Sequence, residues 1–129
     1  MYIQMSSQFF LYSGVASLLY SAYAGLRYYA LSGKGLLSSK KAKDMIMSGE
    51  IGVVVDVRTK LEWDVGHYMG AVHIPVTALS PKKMAKVSKD TGVLVYCNTG
   101  QRARRAAEII RGYGFENVYY IEGTYKSIE

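Results

Sequence analysis

Two short apolar runs constrain this chain more than anything else in it. Ile51-Gly52-Val53-Val54-Val55-Asp56-Val57 and Thr91-Gly92-Val93-Leu94-Val95-Tyr96 are continuous rather than alternating, and rich in β-branched residues. A strand with one wet face alternates polar and apolar residues, whereas an unbroken run needs cover on both faces. Segments with helical spacing lie between and after these runs. The pattern predicts an α/β fold, with a mainly parallel central sheet flanked by helices. Ligands of such sheets bind beyond the carboxyl ends of the strands. Asp56 and Cys97 close the two runs, so the site is expected at that edge.

The remaining elements follow from punctuation. Ser38 or Ser39 caps a short helix through Met47, and Gly49 closes it. Leu61 to Val65 makes a brief helical turn ended by Gly66. Gly70 to Pro75 is extended, because the residue before a proline is pushed out of the helical region. Pro81 to Val87 reads as helical with proline at its start. Ala103, Ala106, Ala107 and Ile110 share one face of a helix from Arg102 to Arg111. Asn117 to Ile121 forms a third strand, and Thr124 to Ile128 a closing turn.

The first part of the chain is different in kind. No charged side chain occurs from Ile3 to Leu26, and Phe9 to Leu26 is mostly apolar or small. Tyrosines punctuate the run at 12, 20, 23, 28 and 29. About 20 such residues span a bilayer as a helix, and tyrosine suits its interfaces. Residues 1–35 are therefore expected to form one N-terminal hydrophobic, membrane-spanning helix and a Gly/Ser linker, and residues 36–129 the folded domain. Arg27, Lys34, Lys40, Lys41 and Lys43 all follow the span, so the positive-inside rule puts the domain on the cytoplasmic side of a single-pass protein. A cleaved signal peptide is one rival, with Ala22-Tyr23-Ala24 as its processing site, but no Lys or Arg precedes the apolar run. A soluble amphipathic or interaction helix is the other.

The same count disposes of nucleic acid. Of the net charge of +6, residues 1–43 carry +5 and the rest of the chain only +1. The folded part is nearly neutral, without the basic face interleaved with aromatics that nucleic-acid binding needs.

Cys97 is the only cysteine, which excludes an intrachain disulfide and a cysteine-based zinc site. No metal is expected. A lone cysteine is ordinarily a small buried hydrophobe. Here it follows a strand and precedes Asn98-Thr99-Gly100-Gln101 and a helix N-terminus, where free backbone N–H groups favour a thiolate. Arg102, Arg104 and Arg105 crowd the first turn of that helix, where each cation costs about 0.3–1 kcal/mol against the macrodipole. A thiolate, a persulfide or a bound oxyanion in the loop would offset that cost. Arg102 is assigned to the site, and Arg104 and Arg105 to a solvated face.

Three segments now resemble one family. Val55-Asp56-Val57-Arg58 followed by Glu62-Trp63, then Gly66-His67-Tyr68-Met69-Gly70-Ala71-Val72-His73-Ile74-Pro75, then Tyr96-Cys97-Asn98-Thr99-Gly100-Gln101-Arg102 are similar, in order and spacing, to the rhodanese signatures. The likeness covers residues 38–128, as a single-domain sulfurtransferase. It implies that Cys97 is the catalytic nucleophile and carries sulfur as a persulfide. It also implies that the amides of Asn98, Thr99, Gly100, Gln101 and Arg102 cradle a substrate, and that Arg102 holds the loop or contacts the anion. Asp56 and Arg58 would form a buried pair near the site, with Arg58 reaching toward it, and Glu62, Trp63 and His67 would brace the loop. The implied substrates are a small sulfur-containing anion such as thiosulfate, or a low-molecular-weight persulfide. A thiol or a protein acts as sulfur acceptor, and no cofactor is needed. His73 replaces a frequent Asn, and Glu122-Gly123-Thr124-Tyr125 a Gly-Gly-aromatic piece. Rivals on the same fold are a phosphatase or arsenate reductase, whose loop carries one more residue between Cys and Arg, and a membrane-tethered non-catalytic interaction module.

Overall fold

The computed structural model describes residues 4, 6–32 and 34–129, in two units, Met1–Lys34 and Gly35–Glu129. The first unit is a helix, α1 (Ser7–Ser32), without an acid in its first turn or a base in its last. Phe9, Phe10, Leu11 and Tyr12 are all exposed. Four successive positions encircle a helix, so α1 has no single apolar stripe of the kind that seats a helix on a soluble core. Ser13 donates its hydroxyl to the Phe10 carbonyl at 3.1 Å, which hides its polarity within the helix. By length and composition, Ser7–Arg27 is sufficient to cross a bilayer.

The second unit holds α2 (Ser39–Ser48), β1 (Val53–Asp56), α3 (Lys60–Val65), β2 (Val72–His73), β3 (Val93–Tyr96), α4 (Gln101–Gly112) and β4 (Val118–Tyr120). Short 3₁₀ turns occupy Val76–Ala78, Pro81–Met84 and Tyr125–Ile128. The strands form one parallel sheet in the order β2-β1-β3-β4. Ser38 caps α2 by accepting the Lys41 N–H at 3.1 Å, and Gly49 closes it.

The unbroken apolar runs have the expected cause. Val55, Val93 and Val95 face one way, into a cluster with Ala103, Ala106, Ala107 and Ile110 of α4, Met84 and Phe115. Val54, Leu94 and Tyr96 face the other way, against Ala42 and Met45 of α2, Ile121 and Ile128. Each fully buried side chain of this size stabilises the fold by about 1.5–3 kcal/mol. Gly92 immediately precedes β3, where a Cβ would run into the Glu50 carbonyl oxygen, so no side chain fits there.

Several elements are shorter than their sequence suggests, two of them for identifiable reasons. Ile51 and Gly52 precede the paired part of β1 and hook onto Met45 O and Gly92 O instead. The stretch from Pro81 forms a single 3₁₀ turn rather than a helix. Met84 is its one fully buried side chain, with Val87 packed at the edge of the same cluster, too little to hold a longer helix against the sheet.

Candidate active site

Cys97 directly follows β3, whose last residue, Tyr96, stands in register with Asp56 of β1. The chain then turns through Asn98 and Thr99, both exposed, and enters α4 with Gly100 as its N-cap. The Gly100 N–H donates to Cys97 Sγ at 3.1 Å. Among the described hydrogen bonds it is this amide, rather than the whole set from Asn98 to Arg102, that reaches the sulfur. Gly100 sits at φ +90°, and a Cβ there would approach the Glu122 backbone to 2.9 Å. Gly100→Ala is therefore expected to lose about 1–3 kcal/mol of stability in denaturant unfolding.

The thiol is fully buried, sharing its cluster with Val57, Val95, Ala103 and Ala106. Apolar side chains thus wall the sulfur on the α4 face, and the loop folds back to aim a donor at it. With the thiol fully buried, alkylation of Cys97 is expected to require movement of the loop at residues 98–101.

Glu62 ties that loop down through Asn98 and Arg102. It lies in the first turn of α3, in a capping box with Thr59: Thr59 Oγ1 accepts the Glu62 N–H at 3.3 Å, and Glu62 Oε1 accepts the Thr59 N–H at 3.1 Å. From there its carboxylate crosses to the loop. Arg102 grips it with two parallel bonds, Nη1 to Oε1 at 2.7 Å and Nη2 to Oε2 at 3.0 Å, and the Asn98 amide donates to Oε2. The Arg102 hydrogen bond, opposed by burial and aided by Thr59, holds the Glu62 carboxyl at about 2, down from 4.5. A depressed carboxylate contributes stability that is complete above the unfolded value and disappears as pH falls through the folded one. The stability difference between wild type and Glu62→Gln should thus be constant above about pH 4.5 and shrink toward pH 2. Near neutral pH the same variant should alkylate Cys97 with iodoacetamide about fivefold faster, the equivalent of about 1 kcal/mol from a partly exposed pair.

A second cluster lies on the α2 face of the sheet. The Asp56 carboxylate accepts Arg58 Nη2 at 2.7 Å, Arg58 Nε at 3.1 Å and the Tyr96 hydroxyl at 2.5 Å. Burial first, then the bond to Asp56, pushes the Tyr96 pKa up, so the hydroxyl remains a donor. It also accepts the Tyr68 N–H at 3.0 Å. Arg58 spends its other contact on the Gly66 carbonyl at 2.6 Å and lies against the rings of Tyr96 and Tyr125. This arrangement seats Arg58 with Asp56 rather than bringing it to the sulfur. His67 stacks on Trp63, with ring centroids 3.5 Å apart, and its Nδ1 meets the Trp63 carbonyl at 3.0 Å. His73 stacks on the same indole and its Nε2 meets the Arg58 carbonyl at 2.8 Å.

The structure therefore gathers Cys97, Asn98, Gly100 and Arg102 around one loop, with Thr99 and Gln101 on its outer side. Sequence reasoning gave Glu62 only a bracing role and missed that it ties Asn98 to Arg102. The Thr59-x-x-Glu62 capping box was the available signal, because it fixes the carboxylate on the first turn facing the loop.

Residues 38–129 match the rhodanese-like domain family. The chain belongs to that family. Among curated proteins, this rhodanese-like chain is 31% identical over 88 residues to the probable adenylyltransferase/sulfurtransferase MoeZ of Mycobacterium tuberculosis, covering 67% of this chain and 22% of that protein. It is 37% identical over 76 residues to the tRNA uridine(34) hydroxylase of Erwinia tasmaniensis, covering 55% of this chain and 22% of that protein. The chain thus spans about a fifth of these curated relatives. Among solved structures, a rhodanese-like domain from Anabaena superposes with a TM-score of 0.63 at 24% identity, covering 73% of this chain and 72% of that one. The human single-domain sulfurtransferase TSTD1 superposes with a TM-score of 0.61 at 23% identity, covering 72% and 93%. At these identities the structural likenesses establish the fold alone.

Proposed function

We propose that this rhodanese-like chain is a sulfurtransferase that moves a sulfane sulfur from thiosulfate or a persulfide to a thiophilic acceptor through a Cys97 persulfide. One observation carries the reading: the Gly100 N–H aimed at Cys97 Sγ, at the carboxyl edge of a parallel sheet. A donor directed at sulfur suits an anion there, first the thiolate and then the outer persulfide sulfur.

The reaction has two displacements. The Cys97 thiolate attacks the sulfane sulfur of the donor and forms a new S–S bond. The donor's own bond to that sulfur breaks, and its electron pair leaves on sulfite or on a thiolate. In the second step a nucleophile (cyanide in an assay, a thiol or a protein thiol in a cell) attacks the outer sulfur of the persulfide. The pair of the broken S–S bond returns to Cys97 as thiolate. No redox partner is needed, and with one cysteine in the chain the second nucleophile must come from outside.

Asn98, Thr99, Gly100 and Gln101 separate Cys97 from Arg102, one residue fewer than in the phosphate and arsenate readers of this fold. The tighter ring suits one sulfur atom better than a tetrahedral phosphoryl group. Purified protein should release thiocyanate from thiosulfate and cyanide with ping-pong kinetics, and leave a chromogenic aryl phosphate intact. Phosphate release without thiocyanate would reverse the assignment.

The reading includes a membrane anchor. α1 is apolar around its circumference, and its cations follow the span. We assign it as a single transmembrane helix with the domain on the cytoplasmic side. The full chain should resist carbonate extraction from membranes; a mature protein starting at Gly25 would instead mark a cleaved signal.

A further inference from the structure

The outward side of α2 is basic and uncovered. Ala42 and Met45 turn in to the sheet, which leaves Lys40, Lys43 and Met47 as a ridge on the other side, at i, i+3 and i+7. Asp44 lies beside that ridge and Lys41 at its flank. Lys40, Lys41 and Lys43 are exposed and make no ion pair or side-chain hydrogen bond among the described residues, and neither does Asp44. Met47 is 85% exposed, an apolar side chain set among cations rather than in the core. From residue 34 to residue 48 the chain holds four lysines and one acid. Covalent connection then limits how far this segment can stray from the end of α1. The Gly35 carbonyl accepts the Tyr120 N–H at 2.8 Å, and the Leu37 N–H donates to the Tyr120 carbonyl at 2.9 Å, so the chain is fastened to β4 from Gly35 onward. Only residues 33 and 34 lie between that fastening and Ser32, where α1 ends, a reach of about 10 Å at full extension.

Charge and reach together select what covers this face. Anionic headgroups attract lysines held within a Debye length of the surface, about 8–10 Å. Lysine ammonium groups meet such headgroups while their aliphatic stems, and a neighbouring Met, rest on the apolar border below. One other basic stretch competes: Lys82, Lys83 and Lys86 are exposed around the buried Met84. Met84 packs on the α4 face of the sheet, whereas Ala42 and Met45 pack on the opposite face. A flat surface against one face of the sheet takes only one of the two stretches, and the short tether leads to α2. We propose that α2 docks its Lys40, Lys43 and Met47 ridge on anionic lipid headgroups of the membrane that α1 crosses. The proposal rests on the anchor reading and extends it: the domain is seated on the bilayer, not merely leashed to it.

Lysine footprinting on the full chain tests this without altering the fold. The protein is placed, one chain per disc, in nanodiscs of phosphatidylcholine alone or of phosphatidylcholine with phosphatidylglycerol. It is then acetylated briefly with an amine-reactive ester and mapped by mass spectrometry. Lys40, Lys41 and Lys43 should react about fivefold more slowly in the anionic discs than in the neutral ones, and high salt should abolish the difference. Lys82, Lys83 and Lys86 should keep one rate in both and serve as the internal control. In Lys40→Glu with Lys43→Glu, Lys41 should lose its protection in the anionic discs. Equal rates for the α2 lysines in both lipids, or protection of Lys82, Lys83 and Lys86 instead, would overturn the docking. Protection that rises with protein concentration in detergent would give the face to a second copy of the chain and overturn it equally. Co-elution with the neutral discs reads the anchor by itself. A chain that stays in those discs with its α2 lysines unprotected by phosphatidylglycerol keeps the anchor and loses the docking, whereas one that leaves them removes both.

Discussion

Cys97→Ser is expected to lose sulfur transfer by on the order of 10³-fold or more while the fold survives. The reason is specific to this site. The chain contains one sulfur nucleophile, and no other residue near the loop can hold a spare sulfur atom between two displacements. The serine hydroxyl is nearly isosteric and can still accept the Gly100 N–H, so far-UV circular dichroism and the unfolding midpoint should change little. Steady-state assays with thiosulfate and with glutathione persulfide check the first half, and denaturant unfolding the second. Residual transfer near the wild-type rate would mean that Cys97 is a packing residue and that the Gly100 contact merely closes a turn.

The second large effect is on stability, at the other face of the sheet. Asp56→Ala should destabilise the domain by about 3–5 kcal/mol, because it leaves the Arg58 guanidinium buried without its counter-charge. Arg58 is 5% exposed and Asp56 fully buried, so water cannot replace the lost partner. The Tyr96 hydroxyl loses its acceptor in the same step. For a domain of this size each kcal/mol moves Tm by about 4–8 °C, so a fall of more than 10 °C is expected in calorimetry. Removing both charges together, as Asp56→Leu with Arg58→Met, should cost less than Asp56→Ala alone, since no unpaired charge remains. Equal or additive losses would show that the pair acts as two independent packing residues.

The parts of this molecule that were legible in sequence share a physical origin. Val53 to Val55 and Val93 to Val95 announce a doubly covered sheet, because both of its faces must be apolar. Ser38 and Gly49 mark the two ends of α2 through backbone groups that only such residues satisfy locally. The surroundings of Cys97 were legible for a similar reason: a thiol between a strand and a helix N-terminus stands next to backbone N–H groups, and the Gly100 N–H does donate to it. What remained hidden depends on contacts between distant segments. Glu62 reaches Arg102 across 40 residues of chain, and Tyr96 reaches Asp56 across the same separation. The buried Asp56–Arg58 pair was expected from the family resemblance and is present, but the Arg58 contact to the Gly66 carbonyl was not. Local pattern places a residue at the sheet edge; which of two nearby acceptors its side chain chooses is settled by tertiary packing. The turn from Pro81 failed the opposite way, since a good helix start meant little with Met84 alone to bury.

Intact-protein mass spectrometry after brief treatment with thiosulfate, followed by peptide mapping, tests the central claim most directly. The wild-type chain should gain the mass of one sulfur atom, confined to the peptide containing Cys97, and lose it on addition of cyanide. A chain that never gains sulfur, or a Cys97→Ser variant that gains it equally, would contradict the account.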